Sequence, residues 1–151
     1  MADFDVFNGD ADGICALHQL RLAEPRHAQL VTGVKRDIKL LGRVEAGNGD
    51  RVTVLDVSLD RNRDDLVRLL EAGASITYFD HHFAGDIPES DRLDAHIDTR
   101  PDTCTSLLVN DHLNGAYRPW AVAAAFGDNM FEAARKAAEP LGYDTEQMMQ
   151  L

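Results

Sequence analysis

Short apolar runs alternate along the chain with segments whose apolar residues recur at helical spacing. Residues 3–8 (DFDVFN), 28–34 (AQLVTGV), 51–58 (RVTVLDVS) and 74–80 (ASITYFD) have the length and composition of strands. The third is a β-branched run of the kind that fills a buried strand. Residues 93–97 predict one more strand, short and at an edge. Helices are predicted over 13–23, over a short stretch at 36–44, and over 61–72. In the last of these Leu66, Leu69 and Leu70 share a face and Gly73 is placed to stop the helix. The rest is read as helical, over about 104–114, 117–127 and 129–139, until Pro140 ends the pattern. This alternation predicts an α/β domain, a parallel sheet with helices on both faces. Chemistry in such sheets sits at the carboxyl ends of the strands.

The acidic and imidazole side chains fall where that rule wants them. Asp10 and Asp12 follow the first strand, Asp56 lies near the end of RVTVLDVS, and Asp80, His81 and His82 follow ASITYFD directly. Like charges gathered at one sheet edge repel and are costly to desolvate, so something positive is expected among them. Carboxylate oxygens with imidazole suit manganese, with magnesium as the alternative. In FNGDADG, Asp10 and Asp12 need a turn to converge, and Gly9 and Gly13 are read as permitting it. An EF-hand is excluded, because the twelfth position counted from Asp10 is Arg21, not glutamate. His18, His27, His96 and His112 are isolated and read as surface or satisfied core residues.

Composition narrows the partners. The chain has 151 residues, enough for one domain or one domain of a larger protein, and a formal net charge of −11. That balance argues against a surface for gripping long nucleic acid, but not against a small anionic substrate if cations reverse the local field. Cys15 and Cys104 form no C-x-x-C pair, so neither a zinc knuckle nor a disulfide framework is indicated. No apolar run has membrane-spanning length, and the N-terminus lacks a signal-peptide pattern; the expected location is the cytoplasm, with no membrane partner.

In order, GDADG, LDVS, FDHH and AFGDN resemble motifs I to IV of the DHH phosphoesterase superfamily, which includes RecJ-type exonucleases, oligoribonucleotide and phosphoadenosine phosphatases and manganese-dependent pyrophosphatases. The match runs from Phe4 to about Asn129. The resemblance implies a site for two manganese ions. Asp10 would ligate the first and Asp12 the second, Asp56 would bridge both, and His81 and Asp128 would complete the second. His82 would contact the substrate phosphate, making Asp56 and His82 the catalytic pair. Asp80 would orient its neighbours without ligating. Thr103 to Ser106 open a helix, and the matching segment is read as capping it. The implied chemistry is metal-assisted hydrolysis of a phosphoester or phosphoanhydride in a small phosphate-containing substrate.

Two departures from the family pattern stand out. Asn8 occupies the place where relatives usually carry a histidine or aspartate ligand of the first metal, and its neutral amide weakens that site. Relatives also carry a second, C-terminal domain that closes over the substrate. Here residues 1–139 are read as the DHH catalytic-type domain, and 140–151 as a tail or the start of a linker to a second domain; a partner subunit is the other expected source of closure. Lys35, Arg36 and Arg100 are substrate-binding candidates by position. The competing reading is a non-catalytic domain that binds nucleotide or metal. A flavodoxin-like nucleotide-binding domain is disfavoured by the lack of a G-x-G-x-x-G or Walker loop.

Overall fold

The computed structural model describes residues 1–142. Five strands, β1 (Asp3–Asn8), β2 (Gln29–Gly33), β3 (Arg51–Leu55), β4 (Ser75–Asp80) and β5 (Leu93–Ile97), form one sheet in the order β2-β1-β3-β4-β5. All four pairings are parallel. The expected α/β architecture is therefore the one found, with β5 at an edge. The helices are α1 (Ala11–Ala23), α2 (Leu59–Glu71), α3 (Thr105–His112), α4 (Arg118–Gly127) and α5 (Phe131–Ala138).

Alternation along the strands sorts the core into two layers. Phe4, Val6, Val52, Val54, Ile76 and Tyr78 face one side, where Leu66, Leu69 and Leu70 of α2 cover them. Phe7, Leu55 and Phe79 face the other side, against Ala16 and Leu17 of α1 and Val109 of α3. Helices α4 and α5 pack outside this second layer, where Cys104, Ala125 and Ala134 form a small cluster of their own. Asp5 also points into the α1 side, where it is 2% exposed. Arg21 holds it bidentately, at 2.6 and 2.8 Å, and reaches Thr53 Oγ1 at 3.1 Å. A charge in that layer persists because both carboxylate oxygens are answered.

Three of the departures from the sequence reading have a clear local reason. The helix expected over 36–44 is only a 3-10 turn, Leu40–Arg43. The buried Asn62 side chain takes the backbone groups a helix would have used: its Nδ2 donates to the Ile38 carbonyl and its Oδ1 accepts from the Leu41 N–H. The strand expected to run to 58 stops at Leu55, because Asp56 has φ of 62° and turns the chain off the ladder. The last helix ends at Ala138 and passes into a 3-10 turn, Glu139–Leu141, so Pro140 lies within a turn. The tail expected over 140–151 lies, from 143 onward, outside the described residues. Among the described residues no helix is long and apolar enough to cross a membrane.

Candidate metal centre

Connections leave β1 toward β2 on one side and reach β3 on the other, so a crevice opens between the carboxyl ends of β1 and β3. In doubly wound sheets this switch point is where ligands sit. Asn8 ends β1, and Asp10 caps α1, its Oδ1 accepting from the Gly13 N–H at 3.0 Å. Asp12 is in the first turn of α1 and fully buried. The two aspartates thus converge through a strand-to-helix junction, not through a glycine-permitted turn. Neither Gly9 nor Gly13 has positive φ. Their role is close approach: a Cβ at Gly13 would lie 2.1 Å from the Asn8 carbonyl oxygen, and one at Gly9 2.4 Å from that of Gly33.

Asp56 sits just past β3 in the left-handed region, an arrangement costing about 1–3 kcal/mol for a residue with a side chain. Its N–H still donates to the Phe79 carbonyl at 3.0 Å, which fixes it against β4. The next groups come from the end of β4. His81 Nε2 lies 3.1 Å from Asp56 Oδ1 and 3.5 Å from Asp12 Oδ2. His82 Nδ1 lies 2.7 Å from Asp80 Oδ1, which leaves its Nε2 for other partners. Asp128 closes the ring from the end of α4, where Asn129, with φ of 59°, reverses the chain.

Two groups of donors result. Asp12, His81 and Asp128 bring one ligand atom each within 4.8 Å of one another, and so do Asp56, Asp80, His81 and His82. Asp10 belongs to neither set, but its charge helps raise the Asp56 carboxyl and it lines the same concavity as His81 and Asp128. Lys35 lines it too, whereas Arg36 does not. Arg100 is paired with Asp98 at 2.6 Å and lines a separate concavity beside α3 and α5.

The electrostatics are those of an acid cluster without enough positive charge. Burial pushes the Asp56 carboxyl up to about 10, helped by the charges of Asp12, Asp10 and Asp80. Burial, then Asp12 and Asp10, lifts Asp128 to about 6. The hydrogen bond that His82 donates to the Asp80 carboxylate raises His82. Asp80 is fully buried, and among the described residues its Oδ2 has no hydrogen-bond partner; the buried Oδ1 of Asn8 is likewise unanswered there. Unanswered oxygens beside crowded carboxylates fit a divalent cation, and the mixture of oxygen donors with imidazole fits manganese or magnesium.

The segment read as capping its own helix does something different. Cys104 occupies the N-cap of α3 but its side chain makes no cap hydrogen bond. The cap is Asp12, whose Oδ2 accepts from the Thr105 N–H at 3.0 Å and Oδ1 from the Ser106 N–H at 2.7 Å. The Thr105 hydroxyl donates to Asp56 Oδ1 at 3.2 Å, and that of Ser106 to the Asp12 carbonyl at 2.7 Å. Thr105 and Ser106 therefore position the acids. No local signal could have shown this, since the pairs are 49 to 94 residues apart.

Fold and site together define a doubly wound α/β domain with a carboxylate–imidazole cluster at its switch point. The chain is similar in fold to a crystal structure of the exonuclease RecJ bound to manganese, with 17% identity and a TM-score of 0.54, covering 99% of this chain and 49% of that one. A RecJ from Thermus thermophilus in complex with Mn2+ aligns at 16% identity and a TM-score of 0.49, over 95% of this chain and 27% of its own. The chain thus spans about half the length of the first of these proteins. No protein-family model matches it. No curated protein matches it either.

Proposed function

We propose that the chain is a DHH-type domain that hydrolyses phosphoester or phosphoanhydride bonds in a small phosphate substrate, using divalent cations. The observation that carries this reading is the convergence of Asp10, Asp12, Asp56, His81 and Asp128 at the switch point beside the unanswered oxygen of Asp80. Asp12, His81 and Asp128 would hold one manganese ion. Asp56, with Asp10 and the amide oxygen of Asn8, would help hold a second. Bound cations supply a Lewis acid for the phosphoryl oxygens and lower the pKa of water.

The remaining roles fall to the chain's own groups. Asp80 anchors one nitrogen of His82, so the other faces the concavity, where a cationic imidazole donates to a phosphate oxygen. Lys35 adds positive charge on the same wall. The His82 side chain is 46% exposed, so substrate would be held in an open site. A second domain or a partner subunit is proposed to supply the closure that excludes water. By itself the chain is expected to turn over slowly.

A panel of nucleotides, short oligonucleotides and inorganic pyrophosphate, assayed with manganese and with chelator, tests the reading. Manganese-dependent release of phosphate or nucleotide is expected; its absence from both this chain and any longer parent product would sink it. The second reading, a non-catalytic metal- or nucleotide-binding domain, is favoured by the neutral amide of Asn8. Tight metal binding with no turnover of any substrate would select it.

A further inference from the structure

The metal centre opens sideways into a cavity of about 440 Å³, a size typical of small-molecule sites. Asn8, Lys35, Asp56 and His82 border both spaces, so a ligand can occupy the two at once. The cavity differs from the centre in character. Ile38, Val57 and Phe83 give it an apolar wall. Phe83 directly follows the two site histidines, yet is 74% exposed, and Ile38 is 44% exposed. Apolar side chains held open beside a charged centre gain by being covered.

The charges on this wall are unequal in availability. Asp60 is held by Arg63 at 3.0 Å, and Asp37 accepts from the Val34 N–H at 3.1 Å. Lys35 and Arg61, by contrast, enter no ion pair among the described residues. In a chain of net charge −11, two unpaired cations flank an apolar wall next to the candidate phosphate position.

We propose that this cavity seats a planar aromatic group carried by the substrate phosphate, between Phe83 and Ile38, so that the centre selects small aromatic organic phosphates over inorganic pyrophosphate. This rests on the hydrolase reading above. Pyrophosphate would occupy the centre and leave the apolar wall wet. An aromatic ester would cover it by stacking on Phe83, with Lys35, which borders both spaces, neutralising the phosphate and Arg61 lining the cavity beyond.

The test measures kcat/KM of the manganese-loaded chain for adenosine monophosphate, bis-p-nitrophenyl phosphate and inorganic pyrophosphate, and the affinity of adenosine monophosphate and pyrophosphate by calorimetry. Phe83→Ala and Ile38→Asp are compared with the parent chain. Preference for the aromatic phosphates, falling about tenfold in both variants relative to pyrophosphate, is the expected result. Where turnover is absent, the same tenfold loss of preference in binding supports the subsite. Equal treatment of aromatic and inorganic phosphates, or a preference indifferent to both substitutions, overturns it and leaves the hydrolase reading standing. Failure to bind manganese would instead overturn the hydrolase reading, and the subsite with it.

Discussion

Asp12 and Ser106 hold one another through two hydrogen bonds of 2.7 Å. The Ser106 N–H donates to the Asp12 carboxylate, and the Ser106 hydroxyl donates to the Asp12 carbonyl. The first turn of α1 is thereby tied to the first turn of α3, and a fully buried carboxylate faces the N-terminus of a helix. Helix N-termini favour negative charge, which explains how Asp12 can remain buried before any cation arrives.

Asp12→Ala is therefore expected to destabilise the metal-free protein, by about 3 kcal/mol, because two backbone N–H groups of α3 lose their acceptor in a buried setting. Asp10→Ala removes only a local cap at a half-buried position and is expected to cost about 1 kcal/mol. Urea unfolding in the presence of chelator compares the two. Equal losses would show that Asp12 serves only as a metal ligand.

Asp56 and Asp128 dictate how stability varies with pH. Their folded values are pushed to about 10 and about 6 from an ordinary 3.8. A carboxyl raised in this way favours the folded chain while it is protonated. That contribution is complete below the ordinary value and is lost as pH rises through the folded values. His82, also raised, loses its contribution in the same direction. The metal-free chain is expected to melt on the order of 5 °C lower at about pH 8 than at about pH 5. Manganese favours the ionised acids and should abolish or reverse the slope. Calorimetric melts across pH with and without chelator decide this; a metal-free melting point that climbs over the same range would contradict the burial of Asp56.

Asp56→Asn should weaken manganese binding by at least about tenfold, and more than Asn8→Ala does. The carboxylate carries charge and lies 3.1 Å from His81, whereas Asn8 offers one neutral oxygen. Asparagine tolerates the left-handed backbone at this position, so the fold survives. The substitution imitates the protonated acid, and the metal-free melting point should become less sensitive to pH. Titration calorimetry yielding equal affinities for the two variants would remove Asp56 from the metal site.

Asn8→His is expected to raise manganese affinity about tenfold, since imidazole is the better ligand and the Asn8 side chain borders the crevice beside Asp10 and Asp56. Unchanged affinity and stoichiometry would mean that position 8 does not reach the cation.

The sheet and most of the acids were legible in the sequence because both depend on neighbours in the chain. Short apolar runs marked β1 and β4, a β-branched run marked β3, and the rule placing ligands at strand carboxyl ends picked out Asp10, Asp12, Asp56, His81 and His82 together. Asp128 came only from the resemblance to DHH proteins, since it ends a helix and carries no local mark. What stayed hidden depends on distant pairs. Nothing near 36–44 announces that Asn62 will take its backbone groups, and nothing near Thr105 announces that Asp12 will cap α3. The cationic candidates were chosen by position, and only Lys35 reaches the crevice. Arg61, in the first turn of α2, was passed over because its setting emerges only when the 35–40 segment folds across it.

The donors of the centre run from Asn8 near one end of the chain to Asp128 far along it. A chain emerging from the ribosome therefore displays Asp10, Asp12 and Asp56 well before Ser106 and Asp128 exist to answer them. Through that interval the central strands can pair, but Asp12 has no helix to cap and must stay hydrated. Helix α1 can settle fully on the sheet only once α3 has been made. Assembly of the reactive cluster is thus a late event in biosynthesis, and a prematurely truncated product would carry the acids without the means to hold a cation.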